Sequence, residues 1–270
     1  MAIQTSTAEP LVDLHIPATM RAAVYRGIND MRVETVAVPR IGPGELLVKI
    51  ATCGVCGTDL KKIHFGSHSA PRIFGHEMAG TVVAIGEGVS RFAIGDRVMT
   101  FHHVPCGECY YCRKQTPSQC PLYKKTGVTA GFEPSGGGFA EYIRIMDFVV
   151  NNGGVVPIPD GIPFEQAAFV EPVNTVLKGV KLLNLAPDDT ALVIGQGPIG
   201  LMHAVLACRT GARVLTSDLY PERHVIAAKF GLKHPIHAGT ENVVERVLTE
   251  TEGRGADAVI LAVGGNALIR

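Results

Sequence analysis

The stretch that most limits what this chain can fold into runs from Thr190 to Gly200. There the apolar run Thr190-Ala191-Leu192-Val193-Ile194 breaks into Gly195-Gln196-Gly197-Pro198-Ile199-Gly200. A strand, three glycines at that spacing and an apolar helix, here Ile199 to Thr210, make the dinucleotide-binding turn of a parallel βαβ unit. Gly195 permits the tight turn, Gly197 lets the backbone approach a pyrophosphate, and Gly200 lets the helix pack on the strand. The start of the helix, at Pro198 and Ile199, turns its N–H groups toward the phosphates. The following strand, Arg213 to Ser217, runs into Asp218, eighteen residues after Gly200. An acid there accepts hydrogen bonds from the ribose hydroxyls and repels a 2′-phosphate, so NAD is expected over NADP. Arg223 has two readings: it accommodates that phosphate, or it lies on a solvated helix face. Val263, closing the strand Asp257 to Val263, is the last candidate cofactor-binding residue.

A second signal is thiol spacing. Cys106-Gly107-Glu108-Cys109-Tyr110-Tyr111-Cys112 is followed by Cys120 after a seven-residue gap. Four thiolates this close in sequence fold a short lobe around one tetrahedral zinc ion, and with no position left open such a site is structural. Two disulfides are the alternative. Zinc is preferred because the chain is long and its first nineteen residues, with Glu9, Asp13 and two prolines, contain no apolar leader. A reducing, cytoplasmic setting is expected.

Upstream lies Cys56-Gly57-Thr58-Asp59, then Gly75-His76-Glu77-Met78-Ala79-Gly80. Soft thiolate with imidazole favours zinc, and a site closed by only three protein ligands is catalytic. Cys53, which makes a superficial CxxC with Cys56, is expected to be a buried strand thiol, and Cys208 a core residue of its helix.

Together these strings resemble the zinc-containing medium-chain alcohol dehydrogenase family, over residues 20 to 270. The resemblance implies that Cys56 and His76 are catalytic zinc ligands, that Asp59 orients the imidazole, and that Thr58 passes the alcohol proton onward. It also implies that Cys106, Cys109, Cys112 and Cys120 hold a structural zinc, giving two zinc ions per subunit. In Phe169-Val170-Glu171-Pro172, Glu171 stands where ethanol-type members carry a Cys. That is similar to the sorbitol, other polyol and threonine dehydrogenase branch, in which Glu77 or Glu171 is the third ligand; the two are not ranked. Lys61 and Lys178 depart from the family pattern, each standing where a His is common. Implied by the resemblance is NAD-dependent oxidation of a secondary alcohol or polyol to its ketone, in a homodimer or homotetramer. The competing readings are a zinc-free reductase of the same superfamily, a zinc- and nucleotide-binding protein without activity, and a threonine- or butanediol-type dehydrogenase with the same chemistry.

Organisation follows the same division. Residues 1–19 are expected to be a flexible extension. Residues 20–170 read as short strands with little helical signal (Arg21 to Tyr25, Glu45 to Thr52, Gly80 to Ile85, Arg97 to Phe101, Phe139 to Ile145), a small barrel that the resemblance identifies as a GroES-like catalytic domain. Residues 171–270 alternate strand and helix, an incomplete Rossmann domain with a doubly wound parallel sheet, so the fold class is α/β plus β. Family members continue beyond Arg270, so the chain is expected to be a fragment, with an apolar sheet edge left exposed. The 25 basic and 25 acidic residues balance, which argues against a nucleic-acid or membrane-surface partner. Arg113, Lys114, Lys124 and Lys125 form only a modest basic patch. No apolar stretch reaches the roughly 18 residues of a membrane span.

Overall fold

The computed structural model describes residues 16–123 and 137–264. Most of the N-terminal extension, and Lys124 and Lys125 of the basic patch, lie outside the described residues. The chain forms two compact units, one ending at Glu171 and one beginning at Pro172.

The first unit contains, in chain order, β1 (Thr19–Gly27), β2 (Asp30–Ala37), β3 (Leu46–Gly54), α1 (Gly57–Phe65), β4 (Arg72–Ile73), β5 (Glu77–Ile85), β6 (Arg97–Thr100), α2 (Tyr110–Arg113), β7 (Tyr142–Ile145), α3 (Asp147–Asn151), β8 (Val155–Pro157) and α4 (Phe164–Ala168). Two antiparallel sheets result, in the orders β2-β1-β4 and β7-β3-β5-β6-β8, linked by an isolated bridge between Ala22 and Ala140. The larger sheet closes over Leu46, Val48, Met78, Val82, Val98, Ile143 and Ile145, each essentially without solvent exposure. Burying such aliphatic side chains contributes about 1.5–3 kcal/mol each. The pair β3 and β5 carries the site. A side chain at Gly80 would run into the Lys49 carbonyl across that pair, so only glycine allows the strands to lie this close. Their register slips between Leu47 and Val48 and again between Ile50 and Thr52. Bulges of this kind bend a sheet toward a barrel.

Helix is more frequent here than the sequence suggests. α1, α3 and α4 are short, and the cap that starts α1 is the thiol of Cys56 rather than a hydroxyl or amide. Three strands, β2, β4 and β8, were not anticipated. The strand expected from Phe139 begins only at Tyr142, because Phe139 spends its backbone groups on Phe74 and Ala23.

α5 (Val170–Leu183) runs into the second unit, which continues with β9 (Thr190–Ile194), α6 (Pro198–Cys208), β10 (Arg213–Asp218), α7 (Pro221–Lys229), β11 (His234–His237), α8 (Val243–Glu250) and β12 (Ala258–Leu261). The four strands form one parallel sheet in the order β11-β10-β9-β12. Sequence reading missed β11, whose His-Pro-Ile-His run has no apolar pattern. α6 starts at Pro198 and stops two residues short of the expected Thr210. It packs through Gly200, Ala204 and Ala207, a stripe at i, i+4 and i+7. Cys208 lies about 100° round the helix from Ala207 and is exposed, not a core residue.

Candidate functional site

The first site is built by the β3–β5 register and the start of α1. Gly54 pairs with Glu77, so Cys56, two residues beyond Gly54, arrives beside the His76-Glu77 pair. Gly75 makes the approach possible: it holds φ +95°, and a Cβ there would meet Phe139 at 2.6 Å and the Cys53 sulfur at 2.9 Å. Cys56 caps α1, its sulfur accepting from the Thr58 N–H at 3.4 Å, while Asp59 reaches back to accept from the Cys56 N–H at 3.2 Å. Asp59 is fully buried, and its other oxygen lies 3.2 Å from His76 Nδ1. That contact assigns the His76 proton to Nδ1 and turns the lone pair of Nε2 outward.

One donor atom each from Cys56, His76 and Glu77 lies within 4.8 Å of the others. The electrostatics suit a cation. The contact from His76 is the main influence lowering the Cys56 thiol pKa. Burial opposes charging His76, yet Asp59 and Cys56 carry its pKa up to about 10. Burial pushes the Glu77 carboxyl upward. A half-buried thiol and carboxyl gathered round one buried imidazole are the donor set of a divalent zinc ion, which would replace the shared protons.

Glu171 does not join that set within the same distance. Its carboxylate lies 3.8 Å from Nδ1 of His102, and the His102 ring packs on His76 with centroids 4.7 Å apart. His103 and Tyr123 continue the stack at 4.1 and 5.4 Å. Burial, and then the charge of Glu171, raises the Tyr123 hydroxyl pKa. Sequence reading missed this group; the one signal for it is the His102-His103 pair just ahead of the cysteine lobe. Thr58, Lys61 and Lys178 are exposed. Cys53 is half-buried against the β3–β5 core, and burial raises its thiol to about 12, so it stays a neutral thiol.

In the lobe, sulfur separations are 3.5 Å for Cys109–Cys112, 3.6 Å for Cys106–Cys120 and 3.9 Å for Cys106–Cys112. A disulfide needs about 2.05 Å. Four sulfurs at about 2.3 Å from one tetrahedral ion stand roughly 3.8 Å apart, which these distances match. Two backbone donors also point at sulfur: the Cys106 N–H at Cys120 and the Cys109 N–H at Cys106. Such donors favour thiolate over thiol.

In the second unit the glycine turn is formed as the spacing predicts. Gly195 has φ +94°, Val263 packs against it, and a Cβ on Gly200 would collide with the Gly195 carbonyl. At Gly197, by contrast, a Cβ meets nothing within 4 Å, so no packing constraint accounts for that glycine. Pro198 opens α6. Asp218 is buried and already accepts from the Gln196 N–H at 2.7 Å, the Tyr220 N–H at 2.9 Å and Arg223 at 3.0 Å. Arg223 is therefore engaged with the acid and lies over the Tyr220 ring, its carbon 5.1 Å from the centroid.

Two family models match the chain: residues 42–160 fit the alcohol dehydrogenase GroES-like domain and residues 198–270 the zinc-binding dehydrogenase domain. The chain belongs to the zinc-binding alcohol dehydrogenase family. It is 33% identical over 262 residues to a sorbitol dehydrogenase of Bacillus subtilis, covering 94% of this chain and 71% of that protein. It is 36% identical over 229 residues to an L-threonine 3-dehydrogenase of Mesorhizobium japonicum, covering 82% and 63%. Among solved structures, alcohol dehydrogenase TADH from Thermus sp. ATN1 superposes with a TM-score of 0.79 at 35% identity, covering 93% of this chain and 72% of that one. The chain thus spans about two thirds of the length of such relatives.

Proposed function

We propose that this protein is a zinc-dependent dehydrogenase that oxidises a secondary alcohol or polyol reversibly to its ketone, with NAD as hydride acceptor. The observation that carries the reading is the convergence of Cys56, His76 and Glu77, with buried Asp59 behind the imidazole. A zinc ion held by Cys56, His76 and a carboxylate there would supply a Lewis acid that lowers the pKa of a substrate hydroxyl. Cys56 and His76 are the invariant part of the ligand set in this proposal. Glu77, the carboxylate nearer to both, is the third ligand, with Glu171 poised behind His102. Thr58, beside Cys56 at the start of α1, accepts the hydroxyl proton and passes it to water. The two electrons and the hydrogen of the adjacent C–H bond leave together as hydride, so alcohol and NAD give ketone, NADH and a proton.

Gly195, Gly197, Gly200 and the start of α6 at Pro198 and Ile199 bind the pyrophosphate through backbone N–H groups, with Val263 bounding the turn. Asp218 accepts from the ribose and disfavours a 2′-phosphate; Arg223, neutralised by Asp218, does not reverse that preference. Cys106, Cys109, Cys112 and Cys120 hold a second, structural zinc. Residues 20–170 act as the catalytic domain and 171–270 as the nucleotide domain of a cytoplasmic homodimer or homotetramer. No helix among the described residues is long and apolar enough to cross a membrane.

The deciding experiment is a screen of the purified, zinc-loaded protein with NAD and NADP against sorbitol, xylitol, threonine, butanediol and simple secondary alcohols. Alcohol-dependent NADH formation with at least one of the polyhydroxylated substrates, abolished in Cys56→Ala, is expected. No turnover of any alcohol by protein shown to contain zinc and bind NAD would refute the proposal.

A further inference from the structure

The second unit contains a pair of histidines that the dehydrogenase reading does not use. His224 belongs to the first turns of α7 and His237 ends β11, and their ring centroids lie 6.0 Å apart. One nitrogen of each ring is committed. His224 Nε2 lies 3.2 Å from the carbonyl oxygen of Asp218. A carbonyl only accepts, so that nitrogen carries the proton, and in the neutral ring Nδ1 is left with a lone pair. His237 Nδ1 lies 2.9 Å from the Thr240 hydroxyl, which itself donates to the His237 carbonyl at 3.4 Å. The hydroxyl proton being used there, His237 Nδ1 donates to the hydroxyl, and Nε2 is the lone-pair nitrogen. These two remaining atoms, His224 Nδ1 and His237 Nε2, are both buried and have no hydrogen-bond partner among the described residues. Two buried acceptors without a donor, on rings whose centroids lie 6.0 Å apart, are costly unless an electrophile satisfies them.

The geometry points to a binding site for a divalent transition-metal ion shared by His224 and His237, separate from both cysteine-containing clusters. Imidazole nitrogen is a preferred ligand for zinc, nickel and copper. A divalent ion about 2.0–2.1 Å from one nitrogen of each of two imidazoles places the ring centres about 5 Å apart at a tetrahedral angle and about 6 Å apart at a wider one, so the 6.0 Å separation corresponds to an open N–metal–N angle. Both rings are already oriented by a bond from their other nitrogen, the arrangement that fixes the tautomer of ligating histidines. Glu241 accepts from the His237 N–H at 2.7 Å, which places one carboxylate on the segment that holds that ring; the Asp218 carboxylate is already paired with Arg223. With two protein ligands and the rest supplied by water, the site binds more weakly than the three- and four-ligand clusters and fills only when metal is added beyond them.

The test is titration of the zinc-loaded full chain with nickel(II), followed by calorimetry, by metal analysis of bound and released ions, and by thermal unfolding. Wild type is expected to take up one nickel equivalent more than the His224→Gln, His237→Gln double variant, without releasing zinc. Its Tm is expected to rise by several degrees at saturating nickel while the variant's does not. His237→Gln alone, which leaves α7 untouched, is expected to lose the same equivalent, so the outcome can be read even if the double variant folds poorly. Equal uptake by wild type and His237→Gln, or uptake matched by zinc release from the cysteine clusters, would overturn the proposal and leave a hydrogen-bonded water as the occupant. The result does not depend on dehydrogenase turnover.

Discussion

Asp59 is the side chain on which the metal site leans most. It is fully buried, it fixes the Cys56 backbone, and it lies 3.2 Å from His76. Loss of such an outer partner costs about 10–100-fold in metal affinity or activity. Asp59→Ala is therefore expected to release the catalytic zinc at a 10–100-fold lower chelator concentration, measured by competition with a chromophoric chelator, while the cysteine lobe keeps its ion. Asp218 yields a pH prediction. Burial works against its charge, but the N–H groups of Gln196 and Tyr220 and the Arg223 guanidinium outweigh burial and hold its pKa below the ordinary carboxylate value. A depressed folded-state value contributes stability that is present at neutral pH and is lost as pH falls through the folded pKa. The denaturation midpoint of wild type should therefore exceed that of Asp218→Asn at pH 7, with the gap closing in acid. A gap that persists unchanged to the lowest pH at which both fold would contradict this account. The same substitution should raise NADP use relative to NAD, read as the ratio of kcat/KM values. At this scale the ligand types and their spacing were legible in Cys56, His76 and the four lobe cysteines. His102 was not, because nothing in a His-His pair tells which ring will face a metal ligand until β6 and β5 are paired.

At the scale of elements, the glycine turn separates two kinds of constraint that look alike in the sequence. Gly200 is held by packing, since a Cβ there collides with the Gly195 carbonyl, whereas at Gly197 a Cβ meets nothing and φ is −70°, open to any residue. Gly200→Ala is expected to destabilise the protein by about 1–3 kcal/mol, the usual cost of overpacking. Gly197→Ala should leave the denaturation midpoint nearly unchanged and weaken NAD binding, because the space above it is where a pyrophosphate approaches. Denaturant melts and NAD titrations of both variants check this; equal destabilisation of the two would remove the distinction. The parallel strands were legible because they are continuous apolar runs between helices. Missed elements were those whose formation depends on partners far along the chain. β11 is recruited by the edge of β10, β8 by β6, and α1 by a cap made from a thiol. Cys208 was misplaced for a related reason: an apolar helix shows its buried stripe only when its neighbours are known.

For the whole molecule, two donor clusters of different character predict two different responses to metal removal. The protein as purified should contain about two tightly held zinc ions. A mild chelator should remove the three-ligand ion together with activity and leave the fold intact. Cys109→Ser, which breaks the four-sulfur cluster, should instead lower Tm, because a structural site contributes binding energy directly to folding. A Tm unaffected by Cys109→Ser, or a single zinc in protein prepared with zinc under reducing conditions, would count against this division of roles. The order of motifs along the chain determined most of what could be known without coordinates: an antiparallel unit carrying two clusters of metal-donor side chains, then a parallel sheet with a dinucleotide-type glycine turn. Both follow from short-range rules, glycine freedom and ligand spacing, that operate over about twenty residues, as from Cys56 to His76 or Gly200 to Asp218. Only the tertiary structure decided that Glu77 rather than Glu171 stands beside Cys56 and His76, that Asp218 is already held by three donors, and that His224 meets His237. Each of these depends on strand register and helix placement, where free-energy differences are summed over many distant contacts and a shift of one residue reverses the face on which a side chain emerges.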